Sequence, residues 1–125
     1  MKLADENKIP YSDGVLTNPH QKLIALTGIK TAKAITVNEI TTNLKRIERY
    51  NHNLSPVIES MEGAAFHYIC LQENIPFLQI RSVSNEIGER DKTKWKMAEA
   101  ISNLNEQLIS LFNKLSAYDE TYIRI

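Results

Sequence analysis

Short apolar runs alternate along this chain with stretches of helical period, and that alternation restricts the fold more than any other feature. Ala34–Ile40, with Ile35, Thr36 and Val37, predicts a strand. Val57-Ile58 predicts a very short one, and Phe77–Ser84 (FLQIRSVS) the clearest. β-Branched and aromatic side chains favour the pleated backbone. In the last run Phe77, Gln79, Arg81 and Val83 alternate with Leu78, Ile80, Ser82 and Ser84. The imperfect polarity of that alternation suits a strand covered on both faces.

The intervening segments read as helices. Asn18-Pro19 is a helix start, with Asn18 as N-cap and Pro19 at the first helical position. Leu23, Ile24 and Leu26 supply its apolar face, and Gly28 its stop. Asn43–Tyr50 predicts a short amphipathic helix around Leu44 and Ile47, broken by residues 51–56. Residues 60–72 predict a helix rich in small and apolar side chains, ended by the turn Asn74-Ile75-Pro76. Lys94–Leu115 is the most regular: Met97, Ile101, Leu104, Leu108, Leu111 and Leu115 recur every three or four residues on one face. Strands alternating with helices imply an α/β fold, a mainly parallel or mixed sheet flanked by helices. Ligands of such sheets sit beyond the C-terminal strand ends. That places residues 39–42, 59–62 and 84–86 at a prospective site.

Composition narrows the function classes. With 125 residues there is room for one compact domain, read as a loop over 1–17, an α/β part over 18–115 and a tail over 116–125. Lys plus Arg equals Asp plus Glu, 15 each, so no global basic field attracts nucleic acid or an anionic membrane. The start, Met1–Pro10, is polar and unlike a signal peptide, and no apolar run is long enough to span a bilayer. The single cysteine, Cys70, forms neither an internal disulfide nor a cysteine metal cluster, and a cytoplasmic location is the default. His67 and Cys70 share a predicted helix but lack further ligands at metal spacing, so no metal is expected, and no cofactor. Tyr68, Phe66 and Phe112 read as core.

Two constellations carry chemistry. In Glu59-Ser60-Met61-Glu62-Gly63-Ala64-Ala65 a strand ends, a carboxylate follows and small residues open a helix. A carboxylate there can accept hydrogen bonds from two vicinal hydroxyls, as a ribose offers. Equally, a glutamate at that place is stabilised by the helix dipole alone. In Ile80-Arg81-Ser82-Val83-Ser84-Asn85, Asn85 has both donor and acceptor and can read a heterocycle edge, although asparagine also initiates turns. Arg81 inside a strand predicts pairing with a buried carboxylate.

Together these stretches resemble the purine nucleoside phosphorylase and nucleosidase superfamily. Within it, ESMEGAAFHYIC, IPFLQIRSVSNEIGERD and a tryptophan before a long helix look most like the futalosine hydrolases. The resemblance runs from about Ile35 to Leu115 and implies a phosphorylase/hydrolase-like fold. It implies hydrolysis of the N-glycosidic bond of futalosine, releasing hypoxanthine in menaquinone biosynthesis, through an oxocarbenium-like transition state. Position by position, Glu62 matches the glutamate that holds the ribose hydroxyls, and Met61 the methionine beneath the sugar. Asn85, the catalytic position, stands where adenine-cleaving relatives carry aspartate. Asparagine cannot act as a general acid, but its NH₂ can donate to a 6-oxo oxygen while its oxygen accepts a proton on N7, which favours hypoxanthine as leaving base. Ile40 and Thr41 align beside the base, and Arg90 is placed to meet a substrate carboxylate. Arg81 and Ser84 stand behind these residues as supports. Asp91 departs from the family's frequent Arg-Asn pair in this loop.

The family's opening strand, Gly-rich turn and water-positioning glutamate have no counterpart here, and Asp5, Glu6 and Asp13 do not follow a strand. The chain therefore reads as a C-terminal part. Its expected partners are a small-molecule nucleoside and either further copies of itself, as a homo-oligomer, or a missing N-terminal half, with an exposed sheet edge and apolar face. A 6-oxopurine nucleoside phosphorylase and a catalytically dead nucleoside-binding or interaction remnant are the competing readings.

Overall fold

The computed structural model describes residues 9–55 and 57–117. Its elements follow the order α1 (Gln21–Thr27), β1 (Lys33–Thr36), α2 (Leu44–Leu54), β2 (Val57–Ser60), α3 (Gly63–Gln72), a 3-10 turn (Lys92–Lys94) and α4 (Met97–Ser116). β1 and β2 pair in parallel, in the register Lys33↔Val57 to Thr36↔Ser60. The Val37 amide extends the ladder by donating to the Ser60 carbonyl at 2.9 Å. Two adjacent parallel strands joined through a helix form a βαβ unit, the connection that parallel pairing requires. α3 packs against β1, α2 against β2, and α1 against α4.

Local chemistry accounts for most helix ends. α2 begins where Asn43 accepts from the Arg46 amide at 3.2 Å, a side-chain N-cap. The helix continues through residues 51–54, past the break predicted at Asn51. α1 ends at Gly28, whose φ of 66° glycine adopts without a Cβ penalty. Lys114 Nζ reaches the Thr27 carbonyl at 3.4 Å and ties that end to α4. At the other end, Asn18 is not the cap residue: His20 holds that position and α1 starts at Gln21. Asn18 still organises the entry. Its oxygen accepts from the His20 amide at 2.9 Å and its NH₂ donates to the Phe77 carbonyl at 2.8 Å.

The largest departure concerns Phe77–Ser84. It forms no strand, and the described sheet has two strands rather than the larger one expected. A strand exists only through its ladder, and no described backbone segment pairs with residues 77–83. The run is held by side chains instead. Phe77 is buried, with the rings of His20, Phe66 and His67 edge-on to it, His67 nearest at 4.6 Å between centroids.

The apolar core is small: Leu23, Cys70, Phe77, Ala100 and Leu111. On α4 the predicted face is covered only in part. Leu111 is buried and Leu104, Leu108 and Leu115 half-buried, whereas Met97 and Ile101 are exposed. Phe66 and Phe112, expected in the core, are 47% and 63% exposed, because no described element lies over them. The expectation of an exposed apolar face agrees with these positions. The tail from Tyr118 onward lies outside the described residues, while Ser116 still belongs to α4. No helix among the described residues is long and apolar enough to cross a membrane.

Candidate functional site

Parallel pairing brings the exits of β1 and β2 to the same end of the unit, and side-chain bonds gather there. The β2–α3 turn is held from three sides. Thr36 Oγ1, at the end of β1, accepts from the Ala64 amide at 2.8 Å. Ser60 Oγ, opposite Thr36 in the register, accepts from the Gly63 amide at 3.3 Å. Gln79 Nε2 donates to the Gly63 carbonyl at 2.9 Å. Residues opposite each other in a pair share a face of the sheet, so Thr36 and Ser60 act together on the helix start.

The consequence falls on Glu62, the N-cap residue of α3. Its side chain makes no capping bond, and it is exposed. Two of the amides that open the helix, those of Gly63 and Ala64, are already bound by Ser60 and Thr36. Among the described residues the Glu62 carboxylate has no hydrogen-bond or ion-pair partner. Met61 beside it is 49% exposed.

Among the described residues Arg81 pairs with no buried carboxylate. Its guanidinium donates to Gln79 Oε1 at 3.1 Å, and no ion pair to it occurs among the described residues. Gln79 and Arg81 lie two residues apart on one side of the 77–84 run, and Gln79 passes the contact on to Gly63. Gln79, Thr36 and Ser60 were not singled out by sequence. The pair of polar residues at i and i+2 in an apolar run was the signal for Gln79.

Across the sheet end, Thr41 is 1% exposed, and its amide donates to Glu59 Oε1 at 2.9 Å. Neighbouring Ile40 is 59% exposed. The Thr41 hydroxyl and Glu59 Oε2 are both buried and without a hydrogen-bond partner.

Asn85 and Ser84 are joined directly: Ser84 Oγ donates to Asn85 Oδ1 at 2.7 Å, and Asn85 Nδ2 donates to the Glu86 carbonyl at 3.0 Å. An amide has two acceptor lone pairs and two donor hydrogens, so one of each remains for a base edge. The loop after Asn85 is closed at its base, where the Lys96 amide donates to the Ser84 carbonyl at 2.8 Å. Trp95 Nε1 donates to the Glu89 carbonyl at 3.1 Å, so the indole anchors this loop next to the long helix. Asp91 caps the 3-10 turn, Oδ1 accepting from the Thr93 amide and hydroxyl, which lowers its carboxyl pKa. That duty accounts for an acid at this position. The Glu89 carboxyl is also lowered, first by the Asp91 amide bond. Arg90, between them, is exposed.

No group of three or more metal-ligating side chains occurs among the described residues. His67 has a buried Nε2 without a partner among the described residues, and burial lowers its pKa against the opposing bond that the ring donates to the Thr17 backbone. An open groove along α4, lined by Glu106, Ile109, Ser110, Asn113, Lys114 and Ala117, shares no residue with the strand-end cluster.

The βαβ unit makes this an α/β protein, with Thr41, Glu59, Met61 and Glu62 at the carboxyl end of its two-stranded sheet. The relatives are more specific. Over 98 residues the chain is 32% identical to the futalosine hydrolase of Thermus thermophilus, a match covering 78% of this chain and 42% of that protein. It is 28% identical over 94 residues to the futalosine hydrolase of Streptomyces coelicolor, covering 74% and 40%. This chain is therefore homologous to part of the futalosine hydrolases, spanning about two fifths of the length of these relatives. No family model matches it, and no solved structure does.

Proposed function

We propose that this chain is the nucleoside-binding part of a nucleosidase that hydrolyses the N-glycosidic bond of futalosine and releases hypoxanthine. The observation that carries the reading is the freed carboxylate of Glu62. Thr36 and Ser60 already hold the Ala64 and Gly63 amides, and Glu62 makes no capping bond, so its charge is available to vicinal ribose hydroxyls. The similarity to two futalosine hydrolases supports the same substrate class.

In this reading Glu62 accepts from the two ribose hydroxyls and Met61 packs beneath the sugar. Asn85 uses its remaining N–H toward the 6-oxo oxygen and its remaining lone pair toward the proton that N7 takes from solvent water as the base departs. Ser84 holds the orientation of that amide by its 2.7 Å bond. Ile40 and Thr41 flank the base, Arg90 meets the carboxylate of the substrate, and Arg81 supports the turn through Gln79. As the bond to the base lengthens, positive charge grows on the sugar, and the Glu62 carboxylate stabilises it electrostatically. A 6-oxo purine is selected because an adenine amino group would leave the Asn85 donor facing a donor, at a cost of about 1–3 kcal/mol.

The test is incubation of the chain with futalosine, inosine and methylthioadenosine, with and without phosphate, measuring released base and, separately, affinity. Binding of futalosine and inosine, weakened in Glu62→Gln, is the expected result; release of hypoxanthine from futalosine without phosphate would show in addition that a water-activating group is supplied. A requirement for phosphate would replace the reading by a phosphorylase. Binding of none of the three nucleosides by a folded chain would overturn it.

A further inference from the structure

The bond between Glu59 and Thr41 has no part in the proposed chemistry, yet among the described residues it links β2 by a side chain to the segment that leaves β1. Glu59 stands opposite Ile35 and Ser60 opposite Thr36, so successive residues of β2 point to opposite faces. Ser60 serves the β2–α3 turn on one face. Glu59 is thereby directed to the other, where its Oε1 takes the Thr41 amide at 2.9 Å. Thr41 is the most deeply buried side chain described, at 1% exposure, and its hydroxyl has no partner. Its place is consequently not set by its own side-chain hydrogen bonding. The second oxygen of Glu59 is likewise buried and unpartnered. Two unsatisfied polar atoms flanking one bond are an uncommon concession of stability and mark a position held for geometry.

We infer that Glu59 is a positioning residue: it latches the exit of β1 so that Thr41 is drawn inward and Ile40 is turned outward, toward the ligand end of the sheet. The latch rests on the geometry alone. Its effect on ligand rests on the nucleosidase reading, in which Ile40 and Thr41 form the wall beside the base. Glu59 touches no substrate. It sets the distance between that wall and the β2–α3 turn that carries Met61 and Glu62, because adjacent residues of one short strand hold both.

The experiment uses the full chain, with amide hydrogen exchange read residue by residue and affinity measured for inosine. In Glu59→Ala the Thr41 amide is expected to exchange at least about ten-fold faster, while amides of α4 keep their protection. Inosine affinity is expected to fall by about ten-fold, the change that one lost positioning bond produces. Glu59→Gln keeps an acceptor oxygen at the same reach and restores both. Glu59→Asp keeps the charge but shortens the reach by one methylene, and it reproduces the loss in a variant that leaves the strand otherwise intact. Unchanged protection of Thr41 in Glu59→Asp and Glu59→Ala would overturn the latch. Loss of protection with unchanged inosine affinity would overturn its positioning role. If the unaltered chain binds no nucleoside, the nucleosidase reading fails, and the exchange of Thr41 still decides the latch.

Discussion

Gly63 opens α3 directly after the Glu62 carboxylate, and a methyl group added there has nowhere to go. A Cβ on Gly63 would lie 2.7 Å from Ser60 Oγ, 3.1 Å from Gln79 Oε1 and 3.2 Å from an Arg81 guanidinium nitrogen. Gln79 and Arg81 can yield at the ends of flexible side chains. Ser60 cannot yield without giving up its bond to the Gly63 amide. Overpacking of this kind costs about 1–3 kcal/mol. Losing the long Ser60 bond adds roughly 0.5 kcal/mol. The better helix propensity of alanine returns less than about 1 kcal/mol at a first-turn position. The balance for Gly63→Ala is a destabilisation of about 1–2 kcal/mol, which at a urea dependence of roughly 2 kcal/mol per molar lowers the midpoint by about 0.5–1 M. Urea unfolding followed by far-UV circular dichroism measures it. The double variant Gly63→Ala, Ser60→Ala removes the nearest atom and is expected to be more stable than the sum of the single effects predicts. A Gly63→Ala chain as stable as the original, or a strictly additive double variant, would refute the account of this turn.

Further expectations concern the supports of the same end and the buried histidine. Thr36→Val preserves shape but removes the oxygen that accepts the Ala64 amide, so stability should drop by about 1 kcal/mol and the Ala64 amide should lose exchange protection; unchanged protection would assign that bond no role. Burial lowers the His67 pKa, so the unfolded chain takes up a proton there before the folded chain does. Stability should therefore fall as pH drops below the ordinary histidine value of about 6.5, and a pH series of melting midpoints should flatten over that window in His67→Gln. Glu89 and Asp91, both lowered, act in a separate window: their contributions hold at neutral pH and are lost only as pH falls through the acidic carboxylate range.

Where chain-local rules decide structure, sequence and fold agree closely. Asn43 caps α2, Gly28 ends α1 in the left-handed region, and the βαβ order follows from short strand-like runs separated by a helix. The placement of Met61 and Glu62 at a strand exit follows from the same order. Residues 77–84 show the limit of such rules. Their composition favours a strand, but strand formation depends on a neighbouring backbone that lies far away in the chain, and none described supplies a ladder. The same dependence on distant neighbours left Phe66 and Phe112 exposed, against a pattern that placed them inside.

Sequence by itself determined the order of the helices and of the two paired strands, and it singled out the two clusters proposed to meet a nucleoside, because these depend on neighbours a few positions apart. Tertiary structure alone decided the state of each site side chain. Thr36, 28 residues before Ala64, takes the helix amide next to Glu62; Arg81 turns to Gln79 and to no acid among the described residues; and the Thr41 amide is held by Glu59, 18 residues away. Hydrogen bonds of that range are set by strand register and packing, which no short window of sequence contains.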